Sequence, residues 1–533
     1  MTTQDRPAAR DVIEDGRAVL GIELGSTRIK AVLVAPDGAV LAGGAHGWEN
    51  QFHNRLWTYS LEDVWTGLQA SVLDLLSDAE RRHGTAPTKL AALGVSAMMH
   101  GYLAFGPDGH LLVPFRTWRN TTTGPAAERL TELFDQNIPL RWSVAHHYQA
   151  VLDVEPHVAR VDHMTTLAGY VHWRLTGRKV LGVGDASGMF PVDPRTRDYD
   201  SRLLAVYDDL LAEHRAGLRL GPVLPQVLTA GQEAGRLTAE GAALLDPTGT
   251  LRPGVPLCPP EGDAGTGMVA TNAVAPRTGN VSVGTSIFAM AVLERPLSQV
   301  HHEIDLVTTP VGDLVAMVHC NNGASELGAW AQVLGRFATA LGHPTGQDEV
   351  FSTLLHEALA GDADGGGLLA YNYLSGEPIT GCAEGRPLLV RTPGSSLTLA
   401  NFARTQVYSA FATLSLGMQV LAAEGVELDV MVAHGGLFRT GGVAQRLLAA
   451  ALGIPVAVGE GAGEGGAWGI ALLATYLAAP HGTSLSQHLD HQIFGGLRPL
   501  TSQPDPEDVR GFATFLTTYQ TGLAVQRAAG TVL

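Results

Sequence analysis

Three short stretches hold the residue types that phosphate and hydroxyl chemistry would need. Residues 21–30 read GIELGSTRIK, with Gly25, Ser26 and Thr27 at a small tip between two apolar runs. Residues 279–296 read GNVSVGTSIFAMAVLERP, which puts Gly284, Thr285 and Ser286 at a second tip of the same design. Asp263 stands between them in EGDAGTG, where glycines crowd a carboxylate. Backbone N–H groups and hydroxyls at such tips can surround a phosphate chain, with geometry in place of a basic residue. The same tips can be plain hairpin turns, in which Gly supplies an unusual φ and Ser or Thr bonds the local backbone. Asp263 is open in the same way. It could be a helix N-cap, worth about 0.5 to 2 kcal/mol, or a general base for a substrate hydroxyl, its small neighbours leaving room for substrate and phosphate.

Other motifs are weaker. No GxxxxGK[ST] occurs, so the first tip is not a P-loop. Gly461, Gly463 and Gly466 spell GxGxxG after the strand-like IPVAV, but no acidic residue lies between Gly466 and Asp490 to take a ribose hydroxyl, which argues against a dinucleotide fold. Met99, His100 and Gly101 close another strand-like run, the end from which ligand residues project in open α/β sheets, although Met beside His is more often packing. His146 with His147 and His301 with His302 lack HExxH spacing, and no metal-ligand cluster stands out.

These residues need elements to hold them. VLGIEL, IKAVLVA and AVLAGG read as three short strands separated by GSTR and PDG turns, a β-meander. LEDVWTGLQASVLDLL then spaces Val64, Leu68, Val72, Leu75 and Leu76 as a helix does, ahead of the strand-like LAALGVSAMM. The order is βββαβ. Aligning Gly25 with Gly284 pairs Ser26 with Thr285 and Thr27 with Ser286, and the offset of about half the chain suggests a duplicated domain. LDVMVAHGG, VAQRLLAAALG, IPVAVGE and AWGIALLATYLAA alternate strand and helix, which predicts α/β layering. The expected division is a polar leader over 1–17, one domain over 18–275, a second over 276–480, and an appended tail over 481–533 that ends in a helix-like segment.

A chain of 533 residues exceeds what one core usually supports. Its 35 Lys and Arg against 52 Asp and Glu give a net charge of −17, which argues against DNA or an anionic membrane as partner but not against small anions bound locally. Cys258, Cys320 and Cys382 are far apart and lack CxxC spacing, so neither a disulfide framework nor a cysteine zinc site is indicated, and a cytoplasmic location is expected. The charged start is unlike a signal peptide, and no apolar run approaches the ~18 residues that a membrane span needs.

Taken together, these stretches resemble the FGGY carbohydrate kinases, which share the actin, Hsp70 and hexokinase nucleotide-binding fold. The resemblance runs over about residues 18–480. GIELGSTRIK looks like the family's first phosphate loop, SVGTS like its second, and EGDAGTG like the segment with its catalytic Asp. SAMMHGYLAFGPDG followed by TWRNTTT is similar to the sugar-site stretch of xylulokinase-type members, and AHGGLFRTGGVAQRLLAAALGIPV to the adenosine motif. The resemblance implies two duplicated actin-like ATPase (ribonuclease H-like) α/β domains with an interdomain cleft, and ATP-dependent phosphorylation of a small ketose or polyol such as a pentulose. By the same token Asp263 would accept the hydroxyl proton, and Gly25, Ser26, Thr27, Gly284 and Thr285 would meet the phosphates. Gly435 and Gly436 would lie against the nucleoside, Met99, His100, Trp118 and Asn120 would line the sugar pocket, and Mg²⁺ would be held chiefly by ATP and water, with Glu23 nearby. A homodimer is family habit.

The chain departs from the pattern in three places. The first-strand carboxylate is Glu23 where Asp is typical; Arg119, Asn120, Thr121 and Thr122 follow Trp118 where Asn-Asp-x-Arg is usual; and Leu437 and Phe438 stand where small residues are usual. These departures leave the sugar open. They also motivate a rival expectation, a nucleotide-binding regulator of the same fold without efficient transfer.

Overall fold

The structure is a computed structural model and describes residues 8–214, 217–459, 465–496 and 499–532. The chain divides into two units. One comprises Met1–Val274, Leu306–Val315 and Glu464–Leu497; the other comprises Ala275–Asp305, Ala316–Gly463 and Arg498–Leu533.

In the first unit the meander is present. Val19–Leu24 pairs antiparallel with Arg28–Val34, which pairs antiparallel with Val40–Gly47. Val19–Leu24 also pairs parallel with Ala92–Ala97. A parallel neighbour requires a crossover, and the helix Leu61–His83 provides it. That helix begins where the Ser60 hydroxyl accepts the Asp63 N–H at 2.9 Å and ends at Gly84, which takes the left-handed φ of 68° that glycine adopts without strain. Its Val64, Leu68, Val72, Leu75 and Leu76 are buried, as their spacing predicts. Pro256–Leu257 and Gly235–Arg236 extend the sheet beyond Ala92–Ala97, which Glu261–Gly262 also joins. Between meander and helix lies a small hairpin, Gln51–His53 with Leu56–Thr58.

The helix Gly465–Tyr476 belongs to this unit and is buried from Gly466 to Thr475. It lies so close to the sheet that a Cβ on Gly21 would fall 2.1 Å from the Ala467 carbonyl oxygen. The GxGxxG positions Gly461 and Gly463 lie outside the described residues. The expected polar leader needs correction, because from Ala9 it is a helix, Ala9–Glu14, whose Val12 and Ile13 join the core that holds Leu20 and Leu75.

The second unit repeats the central arrangement. Thr278–Val283 pairs antiparallel with Ile287–Val292 and parallel with Val430–His434, followed by Val456–Val458 and Leu500–Ser502. The tip at Gly284 therefore stands in its sheet as the tip at Gly25 stands in the first, and Ser282 takes the position that Glu23 has there. The tail is not an appendage. Leu500–Ser502 completes this sheet, and the helix Pro506–Val532 buries Phe512, Phe515, Leu516, Tyr519 and Leu523. Asp508 of that helix, 3% exposed, bonds Arg404 at 2.8 Å and Arg446 at 2.6 Å. All three cysteines are buried and unpaired. Among the described residues no helix is long and apolar enough to cross a membrane.

Candidate active site

The tip Gly25–Thr27 joins the first two strands of the meander, and the Gly25 N–H closes it on the Arg28 carbonyl at 3.0 Å. Ser26 and Thr27 are exposed. The carbonyls behind them are all engaged: Gly25 O accepts the Trp48 indole N–H at 2.7 Å, Ser26 O accepts the Tyr59 hydroxyl at 2.6 Å, and Thr27 O accepts the Trp48 backbone N–H at 3.2 Å. Trp48 and Tyr59 are buried and stacked, with ring centroids 4.1 Å apart. Neither residue stood out in the sequence, since each lies more than twenty positions from the tip.

Met99 and His100 follow the strand Ala92–Ala97. His100 has a φ of 70°, a backbone conformation uncommon outside glycine. Its ring stacks on Trp142, and its Nδ1 lies 3.3 Å from the Gly188 carbonyl oxygen. Trp118 is 36% exposed. Asn120 is 2% exposed, and its amide is committed to the chain: Oδ1 accepts the Trp57 N–H at 2.9 Å, while Nδ2 donates to Trp57 O at 2.8 Å and to Thr117 O at 3.0 Å. Beside it Arg119 lies over the Trp57 ring, 4.0 Å from its centroid. Trp118 is thus presented by a strap whose neighbours grip the small hairpin.

Asp263 is the first residue of the helix Asp263–Ala270, and Gly262 takes the N-cap position. Its Oδ1 accepts the Met99 N–H at 3.0 Å, which ties the carboxylate to the Met99–His100 turn. The side chain keeps accessible surface, while the protein around it withdraws enough solvent to push its pKa upward; the Met99 N–H and the charge of Arg141 oppose that rise. Glu23 is half-buried and is pushed up to about 7, chiefly by desolvation and further by Asp263, against the pull of Lys30 and of the Ala467 and Gly466 N–H groups. The extra methylene of Glu23 is accommodated at the start of the helix Gly465–Tyr476, where a Cβ on Gly466 would come within 2.4 Å of Glu23 Oε1.

Two further carboxyls lie beneath Asp263. Glu261 accepts the Asp185 N–H at 2.9 Å and the Gly184 N–H at 3.3 Å, and Asp185 Oδ2 accepts the Thr166 hydroxyl at 2.6 Å. Asp185 Oδ1 is buried without a hydrogen-bond partner. Burial chiefly pushes both pKa values up, with the charge of Asp263 adding to the rise at Asp185 and the charge of Asp185 to that at Glu261. A charge run would have flagged such carboxyls, but these stand 76 positions apart in the chain. No group of three or more His, Cys, Asp or Glu able to hold a metal occurs among the described residues.

In the second unit, Gly284 and Thr285 are exposed, and their carbonyls accept the Ala324 N–H at 2.8 Å and the Gly323 N–H at 2.7 Å. Asn322 anchors that turn through the buried Glu377, whose Oε2 takes its side-chain amide at 3.1 Å. Gly435 adopts a φ of 111°, and a Cβ there would fall 2.2 Å from Val283 O, so this glycine is required by both conformation and space. Leu437 and Phe438 are 1% and 7% exposed. These two departures are therefore core residues, and Gly435 and Gly436 are free of their bulk.

Comparison with known proteins finds matches along most of the chain. A model of the FGGY carbohydrate kinase N-terminal domain matches residues 18–269, and one of the C-terminal domain matches residues 279–478. The chain is 24% identical over 342 residues to a xylulose kinase of Escherichia coli and 23% identical over 204 residues to a glycerol kinase of Thermococcus gammatolerans. These alignments take in 60% and 36% of this chain and span only 65% and 41% of those relatives. Among solved structures, a xylulose kinase from Lactobacillus acidophilus superposes with a TM-score of 0.77 at 18% identity, covering 96% of this chain and 99% of the other. A gluconate kinase from the same organism gives 0.78 at 18% identity, covering 96% and 99%, and a Plasmodium falciparum glycerol kinase with ADP gives 0.73 at 11%, covering 97% and 98%. With the two domain models in order along most of its length, the chain belongs to the FGGY family of carbohydrate kinases.

Proposed function

We propose that this protein transfers the γ-phosphoryl group of ATP to a terminal hydroxyl of a small ketose or polyol, with a pentulose of the xylulose or ribulose kind as first candidate. The observation that carries the reading is Asp263, an accessible carboxylate at a helix start, fixed by the Met99 N–H beside His100. The sugar hydroxyl would lose its proton to Asp263 as its oxygen bonds to phosphorus, and ADP would leave with the electrons of the broken P–O bond. Gly25, Ser26, Thr27, Gly284 and Thr285 would hold the phosphates through backbone N–H groups and hydroxyls, and Gly435 and Gly436 would lie along the nucleoside. Met99, His100 and Trp118 would contact the sugar, with Asn120 positioning Trp118 rather than touching substrate.

Magnesium fits this site as a partner of the nucleotide. Glu23 offers one carboxylate to its water shell, as expected of an ion held mainly by phosphate oxygens and water, and the bound ion would neutralise phosphate charge. The relatives named as xylulose, glycerol and gluconate kinases support a small polyhydroxy acceptor and leave its identity to experiment. Asp263→Asn is expected to keep the fold and nucleotide binding and to lose sugar-dependent ADP release by about 10² to 10⁴-fold, the usual contribution of a general base. Near wild-type turnover of that variant on a confirmed substrate would remove Asp263 from the reaction. Nucleotide binding without turnover on any sugar would favour a regulator of the same fold.

A further inference from the structure

We propose that Trp48 and Tyr59 are positioning residues for phosphate binding, and that they act by holding the carbonyls of the Gly25–Thr27 tip so that its N–H groups face the nucleotide. The inference rests on the proposed kinase reading. A trans peptide points its C=O and its N–H in opposite directions. Fixing Gly25 O, Ser26 O and Thr27 O on one side therefore turns the N–H groups of Ser26, Thr27 and Arg28 to the other. Consecutive N–H groups presented this way form an anion-binding concavity.

Three features mark this as a built arrangement. Consecutive carbonyls are engaged by one stacked pair whose members are 8% and 2% exposed. Burial pushes the Tyr59 hydroxyl up to about 12, so it remains a proton donor across the neutral range. The second tip has the same device by different means, since the carbonyls of Gly284 and Thr285 are held by the N–H groups of Ala324 and Gly323. Two tips at matching places in their sheets thus have their carbonyls held from behind, once by side chains and once by backbone. Asn120 brackets both backbone groups of Trp57, two residues before Tyr59.

The test uses the full chain with magnesium, and calorimetric titration with the non-hydrolysable analogue β,γ-imido-ATP and with AMP. Tyr59→Phe removes only the hydroxyl and keeps the stack on Trp48; Trp48→Phe removes the indole N–H. Each variant is expected to bind the triphosphate analogue about threefold to tenfold more weakly, the scale of one lost hydrogen bond. Binding of AMP, which lacks the outer phosphates, and the melting temperature of Tyr59→Phe should stay at wild-type values. Unchanged analogue affinity in both variants would overturn the inference, and so would equal losses for the analogue and AMP, which would point to general disturbance. A wild-type protein that binds neither nucleotide would overturn the kinase reading and the inference with it. A wild type that binds both, with unaltered variants, would sink the inference alone.

Discussion

In the proposed reading Asp263 and Glu23 are two carboxylates with separate tasks, and their surroundings differ accordingly. Asp263 is anchored by the Met99 N–H and remains accessible, as the proposed role of base requires. Its raised pKa fixes the sign of a pH effect: a base works when ionised, so kcat/KM should fall as pH drops through a value above the ordinary Asp range. A pH–rate profile on an accepted sugar checks this, and an acid limb at or below the ordinary range would contradict it. Glu23 is wedged against Gly466, so Gly466→Ala forces a contact of 2.4 Å unless the carboxylate moves. We expect that variant to lose about 1 to 3 kcal/mol of stability by denaturant melting, as overpacking does, together with most sugar-dependent turnover. Glu23→Asp shortens the wedge by one methylene, and restored or raised turnover would show that the site accepts the family's usual residue.

At the scale of elements, the buried Asp185–Glu261 pair and the last helix carry measurable consequences. Both carboxyls have raised pKa values, so between the ordinary carboxylate range and neutral pH the folded state binds more protons than the unfolded chain. Stability then falls as pH rises through that window, because its slope follows the protons bound by the unfolded state minus those bound by the native state. Asp185→Asn should flatten the slope and raise the melting temperature at alkaline pH relative to wild type. An unchanged slope would show that the pair is ionised in the fold.

The last helix is tied to the second unit through Asp508, and Asp508→Ala leaves Arg404 charged and 2% exposed without that partner. A loss of about 3 to 5 kcal/mol in urea unfolding is expected; a change within about 0.5 kcal/mol would return the tail to the status of an appendage. The spacing of Phe512, Phe515, Tyr519 and Leu523 already follows one helical face, and is the signal by which sequence could have placed this helix in a core.

For the molecule as a whole, local patterns were legible and long-range partnerships were not. The meander, the helix Leu61–His83 and the Gly25 and Gly284 tips follow from period-2 and period-3.6 spacing with turn residues, and all four form as expected. The stretch AWGIALLATYLAA predicts the helix Gly465–Tyr476, but its place against Gly21 depends on a contact across more than 400 positions that no periodicity encodes. Trp48, Tyr59, Asp185 and Glu261 carry no local signal for the same reason: each gains its meaning from a partner distant in sequence. Asn120 shows the converse, a residue conspicuous by motif whose amide is spent on Trp57.

The family assignment rests on residues 18–269 and 279–478, while the proposed activity rests on one carboxylate and the loops around it. Its most direct test is coupled-assay ADP release with Mg-ATP across a panel of ketoses, aldoses and polyols, run on wild type and Asp263→Asn together. We predict sugar-stimulated ADP release for at least one ketose or polyol in the wild type, and its loss in the variant with nucleotide binding retained. No stimulation by any member of the panel, with nucleotide still bound, would contradict the account.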